Sequence, residues 1–285
     1  DAFRTDLAQS TALNVLSSAT VRDVLRRMQR PDTTHVTEDI ARQIAAREGM
    51  KALITGEVVT LGGGYVLSAR LVSTINNEEL ATFRETATDS TDIIPAIGRL
   101  SRAVRAKVGE NLRRVQAARS LDKVTTPSLE ALQKYVQGAR YLEVNNDWER
   151  GKPLLEEAIA LDSGFAMAYR KLAAEENNRF GSAARIHFLV QKAYDNRQRL
   201  TDAERLITEG SYFAYGPQPD GNKVLAAYER LLELDPENVT ALNNASVQYR
   251  NMLQFEKAEE YARRAVALQP SASVFFGNVY RNQIA

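Results

Sequence analysis

Three kinds of residue in this sequence could do chemistry by type and spacing: adjacent carboxylates, a run of glycines, and arginines on a helical step. The carboxylates come as Glu156-Glu157, Glu175-Glu176 and Glu259-Glu260. A general acid/base dyad needs both groups aimed at one point, and neighbours on a helix point about 100° apart. These pairs therefore read as solvated helix faces. Gly62-Gly63-Gly64 could cradle a phosphate, but such a loop leads from a strand into a helix N-terminus. Here a second alternating stretch follows, so the glycines read as a hairpin turn. Two histidines, His35 and His187, are too few for a multi-histidine metal site, and the chain has no cysteine for a thiolate, a nucleophile or a disulfide. His187, within Arg185-Ile186-His187-Phe188-Leu189, reads as a core-edge residue, and Trp148 as the packing of a turn between helices. Asn238-Val239-Thr240 and Asn244-Ala245-Ser246 match the glycosylation pattern but fall inside a helical stretch, and we discount them. No catalytic, cofactor-binding or metal-ligating residue is expected, and the chain does not read as an enzyme.

The arginines carry more information. Between positions 99 and 119, Arg99, Arg102, Arg105, Lys107, Arg113, Arg114 and Arg119 meet only Glu110. Arg99, Arg102 and Arg105 are three apart and share a helix face. Such a face is solvated, or it is a docking stripe for an acidic partner or for lipid headgroups. The segment lacks aromatic residues, so stacking on single-stranded nucleic acid is not supported. A formal net charge of +1 gives no whole-chain reason to expect nucleic acid either.

The elements that must position these residues fall into two halves. With 285 residues, 44% hydrophobic and 26% charged, the chain is long enough for two domains or one solenoid. No run of about 18 apolar residues spans a membrane. A chain opening on Asp1 rather than Met is expected to be a piece of something longer. In the first half, Leu13 to Leu16 reads as a short strand. Ser18-Ala19-Thr20 then caps a helix through Val21, Val24, Leu25 and Met28, which Arg30-Pro31 stops. A second helix runs from Thr37 to Gly49. After Gly49 the period drops to two: 52–59 and 65–72 are strands around the glycine turn, and Leu80 to Thr86 is a third. This antiparallel meander is covered by a long helix capped by Asp92, with Ile93, Ile94, Ile97, Leu100, Val104, Val108 and Leu112 at helical steps. The fold class expected for 1–122 is α+β.

Those residues carry a resemblance. Ile40-Ala41-Arg42, Gly49, Lys51-Ala52-Leu53-Ile54-Thr55-Gly56-Glu57-Val58 and Gly64-Tyr65-Val66-Leu67-Ser68-Ala69-Arg70-Leu71-Val72 look like the TolB amino-terminal-like domain. The resemblance covers about residues 3 to 115 and implies no catalysis. That family opens with a strand before its first helix, so a strand is expected upstream of Asp1.

Thr125-Thr126-Pro127-Ser128 reads as a joint, and 126–285 as an all-α array. Ala160-Leu161-Asp162-Ser163, Glu233-Leu234-Asp235-Pro236 and Ala267-Leu268-Gln269-Pro270 recur. From Pro236 to Pro270 is one tetratricopeptide period of about 34 residues. With Pro270 at position 32, Leu242 falls at 4, Tyr249 at 11, Ala258 at 20 and Ala265 at 27, the positions where this repeat places apolar, aromatic and small residues. Ser163 and Pro236 lie further apart than two such periods, and the surplus is expected around Asn177 to Thr201. The array thus reads as about four helix pairs with a last helix from Ser271. Glu157 to Ala173, with Arg199-Leu200-Thr201 and Glu204-Arg205, is also similar to repeats attached to bacterial serine/threonine kinases and to membrane-separated regulators. No kinase motif is present.

The resemblance implies a function. Tandem pairs curve into a concave surface lined by each first helix. Carried over by register, the groove residues are Arg140, Arg170, Asn177, Asn243 and Arg250, a set suited to a peptide with acidic or carboxylate groups. The chain is expected to be an interaction or scaffold module whose partner is a protein, membrane-associated, engaged by this groove or by Arg99, Arg102 and Arg105. A permanent structural accessory subunit of a membrane complex and the sensor region of a kinase are the alternatives. The resemblance places such chains on the extracytoplasmic, periplasmic side of a bacterial membrane, behind an upstream anchor; the cytoplasm is the alternative.

The register on Pro270 has a direct test. Ala258→Leu should overpack the contact between paired helices and cost roughly 1–3 kcal/mol in chemical denaturation.

Overall fold

The computed structural model describes residues 2–10, 12–31, 33–111, 115, 125–269 and 273–283. The chain forms two compact units, Asp1–Asp162 and Ser163–Ala285.

The first unit opens with a short helix, α1 (Ala2–Leu7). The strand expected over Leu13 to Leu16 does not form, and these residues are irregular. The reason is local: Ser17 accepts a hydrogen bond from the Thr20 N–H and so starts α2 (Ser18–Arg27) directly after Leu16. Leu16 is used instead as packing against Val24, Leu25, Ile40 and Ile44. Thr37 caps α3 (Glu38–Arg47) through the Ile40 N–H.

Strands β1 (Ala52–Leu61), β2 (Gly64–Ser73) and β3 (Glu79–Ala87) then form an antiparallel sheet in the order β1-β2-β3. Leu61 pairs with Gly64, so the loop is only Gly62 and Gly63, with φ of 58° and 86°. Glycine alone enters that region freely, which suits a two-residue primed turn. Helix α4 (Ile93–Lys107) covers the sheet. Leu67, Ala69 and Ala87 pack on Ile93, Ala96 and Leu100, with Ile97 beside them.

The long helix stops sooner than the spacing of Val108 and Leu112 suggests. Lys107 is its last residue, and Gly109 reverses the chain at φ 89°. The reversal brings Glu110 back onto α4, where it receives Arg105 Nε at 2.9 Å and Nη2 at 2.8 Å. Both side chains are 2% exposed. Arg113, Arg114 and Arg119 lie outside the described residues. The same unit ends in a helix hairpin, α5 (Leu129–Asn145) and α6 (Trp148–Leu161). Trp148, expected in the turn, is the first residue of α6, with Lys152 5.2 Å from its ring centroid.

The second unit is entirely helical among the described residues. Its pairs are α7 (Ala166–Asn178) with α8 (Ala183–Asp195), α9 (Asp202–Tyr215) with α10 (Gly221–Leu234), and α11 (Val239–Asn251) with α12 (Phe255–Leu268); α13 (Ser273–Gln283) follows. Leu242, Ala258 and Ala265 are fully buried and Tyr249 is 4% exposed, as the period requires. The surplus residues are divided. First helices start at Ala166, Asp202, Val239 and Ser273. The last step matches the repeat period of about 34 residues, and the two before it are longer. Part of the excess is the 3₁₀ turn Arg197–Arg199, where it was expected. The rest is the loop 216–220 between α9 and α10, outside the expected stretch from Asn177 to Thr201.

The buried Arg105–Glu110 pair gives a stability test. Removing one partner of a buried ion pair leaves an uncompensated charge, so Glu110→Ala should destabilise the first unit by about 3–5 kcal/mol. Arg99→Ala, whose side chain is 37% exposed, should cost far less. Urea unfolding followed by circular dichroism measures both.

Candidate functional site

Helix α11 begins at Val239 because the Asn238 side chain accepts from the Ala241 N–H at 3.0 Å. Ala241, Leu242, Ala245, Ser246 and Tyr249 then turn into the packed side. Asn243, Asn244 and Arg250 are left half-buried on what remains. They join a polar ladder. Asn244 Nδ2 donates to the Tyr228 hydroxyl at 3.1 Å, and Asn243 Nδ2 donates to Asn244 Oδ1 at 3.1 Å. Asn278 Nδ2, from α13, donates to Asn243 Oδ1 at 2.8 Å, and Arg250 Nη1 donates to Asn278 Oδ1 at 3.3 Å. Burial, and after it the Arg281 guanidinium, hold Arg250 below the ordinary arginine pKa. Two guanidiniums that repel across a half-buried site favour an anion between them.

Arg170 belongs to the same unit. Phe165, Met167, Ala168, Tyr169 and Leu172 bury the packed side of α7, and Arg170 stays half-buried. Its Nε is buried without a hydrogen-bond partner. Its charge reaches the Tyr228 hydroxyl, at the start of the ladder. Asn177 lies two turns further along α7 and is half-buried. The structure thus links Asn243 and Arg250 through Asn278, with Arg170 near the ladder's other end.

Asn278 was not among the sequence candidates. A signal for it existed: it follows Asn244 by one repeat period of about 34 residues. Asn244 matches the glycosylation pattern by sequence, but its amide is engaged in the ladder. Arg140 is exposed on α5 in the first unit.

The proposed basic stripe is not one surface. Arg105 is 1% exposed and is taken by Glu110, so it cannot dock a partner. Arg99 ties α4 to β3: Nε meets Glu85 at 3.0 Å, Nη1 meets Asp92 at 3.2 Å, and Nη2 donates to the Thr86 carbonyl at 2.7 Å. Arg102 is half-buried. The adjacent carboxylates are in ion pairs, Glu157 with Lys134, Glu175 with Lys171, Glu259 with Arg263 and Glu260 with Arg264. His187 is exposed rather than at a core edge, because Ile186, Leu189, Val190 and Ala193 set the buried side of α8.

A cleft of about 440 Å³ opens beside the 216–220 loop, lined by Tyr194, Tyr212, Phe213, Gln218, Pro219, Asp220 and Lys223. Its rings are engaged with one another: Tyr194 stacks on Tyr212 at 4.0 Å, and Arg197 covers Tyr194 at 3.9 Å. Asp220 is spent capping α10 through the Asn222 and Lys223 N–H groups. Among the described residues no cluster of His, Asp and Glu could hold a metal, and no helix is long and apolar enough to cross a membrane.

No family model matches the sequence, and no curated protein matches it. Among solved structures, the chain is similar to the crystal structure of MamA protein over 54% of this chain and 82% of that one, at 14% identity and a TM-score of 0.33. It is similar to YrrB, described as a TPR protein with an unusual peptide-binding site, over 66% of this chain and 87% of that one, at 18% identity and a TM-score of 0.36.

Tyr228 supplies a pH test. Burial pushes its hydroxyl up to about 12 from an ordinary value of 10.0. Between those values the folded chain keeps a proton that the unfolded chain has lost. The associated stability is complete below about pH 10 and drains as pH rises through the window. Tyr228→Phe should therefore remove about 1–3 kcal/mol of the alkaline loss, read as the difference between urea midpoints taken near pH 8 and near pH 11.

Proposed function

We propose that this chain is a protein-interaction module, and that its helical unit takes an extended peptide bearing a carboxylate. The observation that carries this reading is the buried, unpartnered Arg170 Nε near the start of the Tyr228–Asn244–Asn243–Asn278–Arg250 ladder. A buried donor without an acceptor is costly and calls for an explanation. An incoming acceptor supplies one. Side-chain amides suit a peptide backbone because each offers donors and an acceptor. Arg250, beside Arg281, suits a carboxylate. The extracytoplasmic placement, the TolB-like first domain and a kinase connection are part of the proposal only through the resemblance described above.

One observation favours the permanent-subunit reading. Strand β1 is at the edge of its sheet, and Val58, Val59 and Leu61 are 56%, 46% and 69% exposed. An apolar edge of this kind is a liability unless something covers it.

A display library of short peptides with free C-termini tests the groove. Acidic or carboxylate-terminated sequences should be enriched by the wild-type chain. Arg170→Glu with Arg250→Glu should weaken the selected peptide by about 1.5–3 kcal/mol for each charge-assisted hydrogen bond lost, measured by fluorescence anisotropy. Arg140→Glu and Arg102→Glu are the controls. Loss of binding in Arg102→Glu with full binding in the groove variant would move the docking site to the first unit.

A further inference from the structure

The α7–α8 pair carries a second surface unlike the ladder. Between Asn177 and Tyr194 the chain has no Asp or Glu, while Arg179, Arg185 and Lys192 supply positive charge. Two phenylalanines stand out from this stretch, Phe180 at 96% exposure and Phe188 at 45%. Phe180 sits in the turn between α7 and α8 with φ 56°. That left-handed region suits Gly or Asn, and a bulky side chain there costs the fold energy. Exposure at 96% means that intramolecular packing returns almost nothing for that cost. On α8, Ile186, Leu189, Val190 and Ala193 are buried, so Ala184, His187, Phe188 and Lys192 form the outward sector. Arg185 and Lys192 flank the Phe188 ring at 5.6 and 5.8 Å from its centroid. Of the acidic residues that flank the stretch, Asp195 accepts from Gln191 at 2.8 Å and Glu175 pairs with Lys171 at 3.1 Å.

We propose that this basic, phenylalanine-tipped surface binds an anionic lipid bilayer. Phe180 and Phe188 enter the headgroup region, while Arg179, Arg185 and Lys192 face the lipid phosphates. Charge complementarity argues for the sign of the partner. The phenylalanines argue for a bilayer over an acidic protein. A protruding ring needs a shaped pocket on a protein, whereas a fluid interface accepts it without one. The array contains its own contrast. Leu253, in the turn between α11 and α12, is 75% exposed at φ 60°, but there Glu256, Glu259 and Glu260 stand beside Arg250 and Lys257, so the surround is not basic. The proposal is independent of the peptide groove, since it shares no residue with the ladder.

The test is co-sedimentation of the full chain with vesicles of phosphatidylcholine containing about one-third phosphatidylglycerol, against phosphatidylcholine alone. Wild type should partition onto the anionic vesicles only, and less as salt is raised. Phe180→Ser with Phe188→Ser, and separately Arg185→Glu with Lys192→Glu, should each lower the partition roughly tenfold. Leu253→Ser should bind as wild type does. No partition of the wild type, or full partition of both double variants, would overturn the proposal. So would an equal loss in Leu253→Ser. Binding of polyglutamate without binding of vesicles would assign the surface to an acidic protein instead.

Discussion

The close approach of the two helices in each pair is the constraint on which the helical array depends. It is visible where a side chain of one helix reaches the backbone of the other: Ser246 Oγ donates to the Ala258 carbonyl at 2.7 Å. Only a small residue leaves the partner backbone that accessible. In the preceding pair the same closeness is met by Gly210, where an added Cβ would lie 2.6 Å from the Tyr228 ring. Small residues at the crossing force large ones into the seams. Leu242, Ala265 and Phe275 cluster between α11, α12 and α13, and Tyr228 and Tyr249 cluster with Leu231 and Ala245. Once those positions are committed to packing, the other face of each first helix is where polar groups can lie. The amide ladder is therefore a consequence of the packing as much as of its own hydrogen bonds.

The first unit solves a different problem with a buried charge. Arg99, Arg102 and Arg105 look equivalent by spacing, yet they do different things. Arg99 fastens α4 to β3, Arg102 stays half-buried, and Arg105 is internal. A buried guanidinium costs several kcal/mol in desolvation unless its donors are met. Glu110 meets two of them, and Ser10 donates in turn to Glu110. Arg105 Nη1 and Asp6 Oδ2 remain without hydrogen-bond partners in the same neighbourhood, where burial raises the Asp6 carboxyl above its usual range against the pull of Arg105. The chain reversal at Gly109 thus holds charges inside that stay well placed only while α1, α4 and residue 110 remain together.

Local and periodic features were legible in the sequence. The meander, its glycine turn and the caps at Thr37 and Ser128 follow from residues adjacent in the chain, and the repeat period marked the burial of Tyr249, Ala258 and Ala265. What was missed depended on partners distant in sequence or on a small shift of register. Leu13 to Leu16 has strand composition but no strand beside it. Arg105 lies on the same helical step as its neighbours, and only the return of the chain after Gly109 makes it internal. His187 directly follows buried Ile186 and lies two residues before buried Leu189, so its exposure turns on the helix's rotation. Asn278 carries a signal, its place one period after Asn244, but that signal becomes informative only once Asn244 is seen to face the polar side of α11.

The ladder and the unpartnered arginine have one cause in the spacing of the repeats. From α11 to α13 the first helices are one regular period apart, so Asn244 and Asn278 occupy equivalent positions and the amides can join. From α9 to α11 the step is longer. Counted from the helix starts at Asp202 and Val239, the equivalent of Asn244 is Ile207. Helix α9 accordingly contributes no amide, and the ladder stops at the Tyr228 hydroxyl. The residues that break the period do not go unused. They build the 3₁₀ turn Arg197–Arg199 and the 216–220 loop, which lies beside the Tyr194–Tyr212–Phe213 ring cluster. Their effect on the polar face is to interrupt a network that would otherwise continue toward α7. Arg170, on the far side of that interruption, keeps a buried Nε with no acceptor. Where the repeat is regular the polar groups satisfy one another, and where it is irregular a buried donor is left without an acceptor.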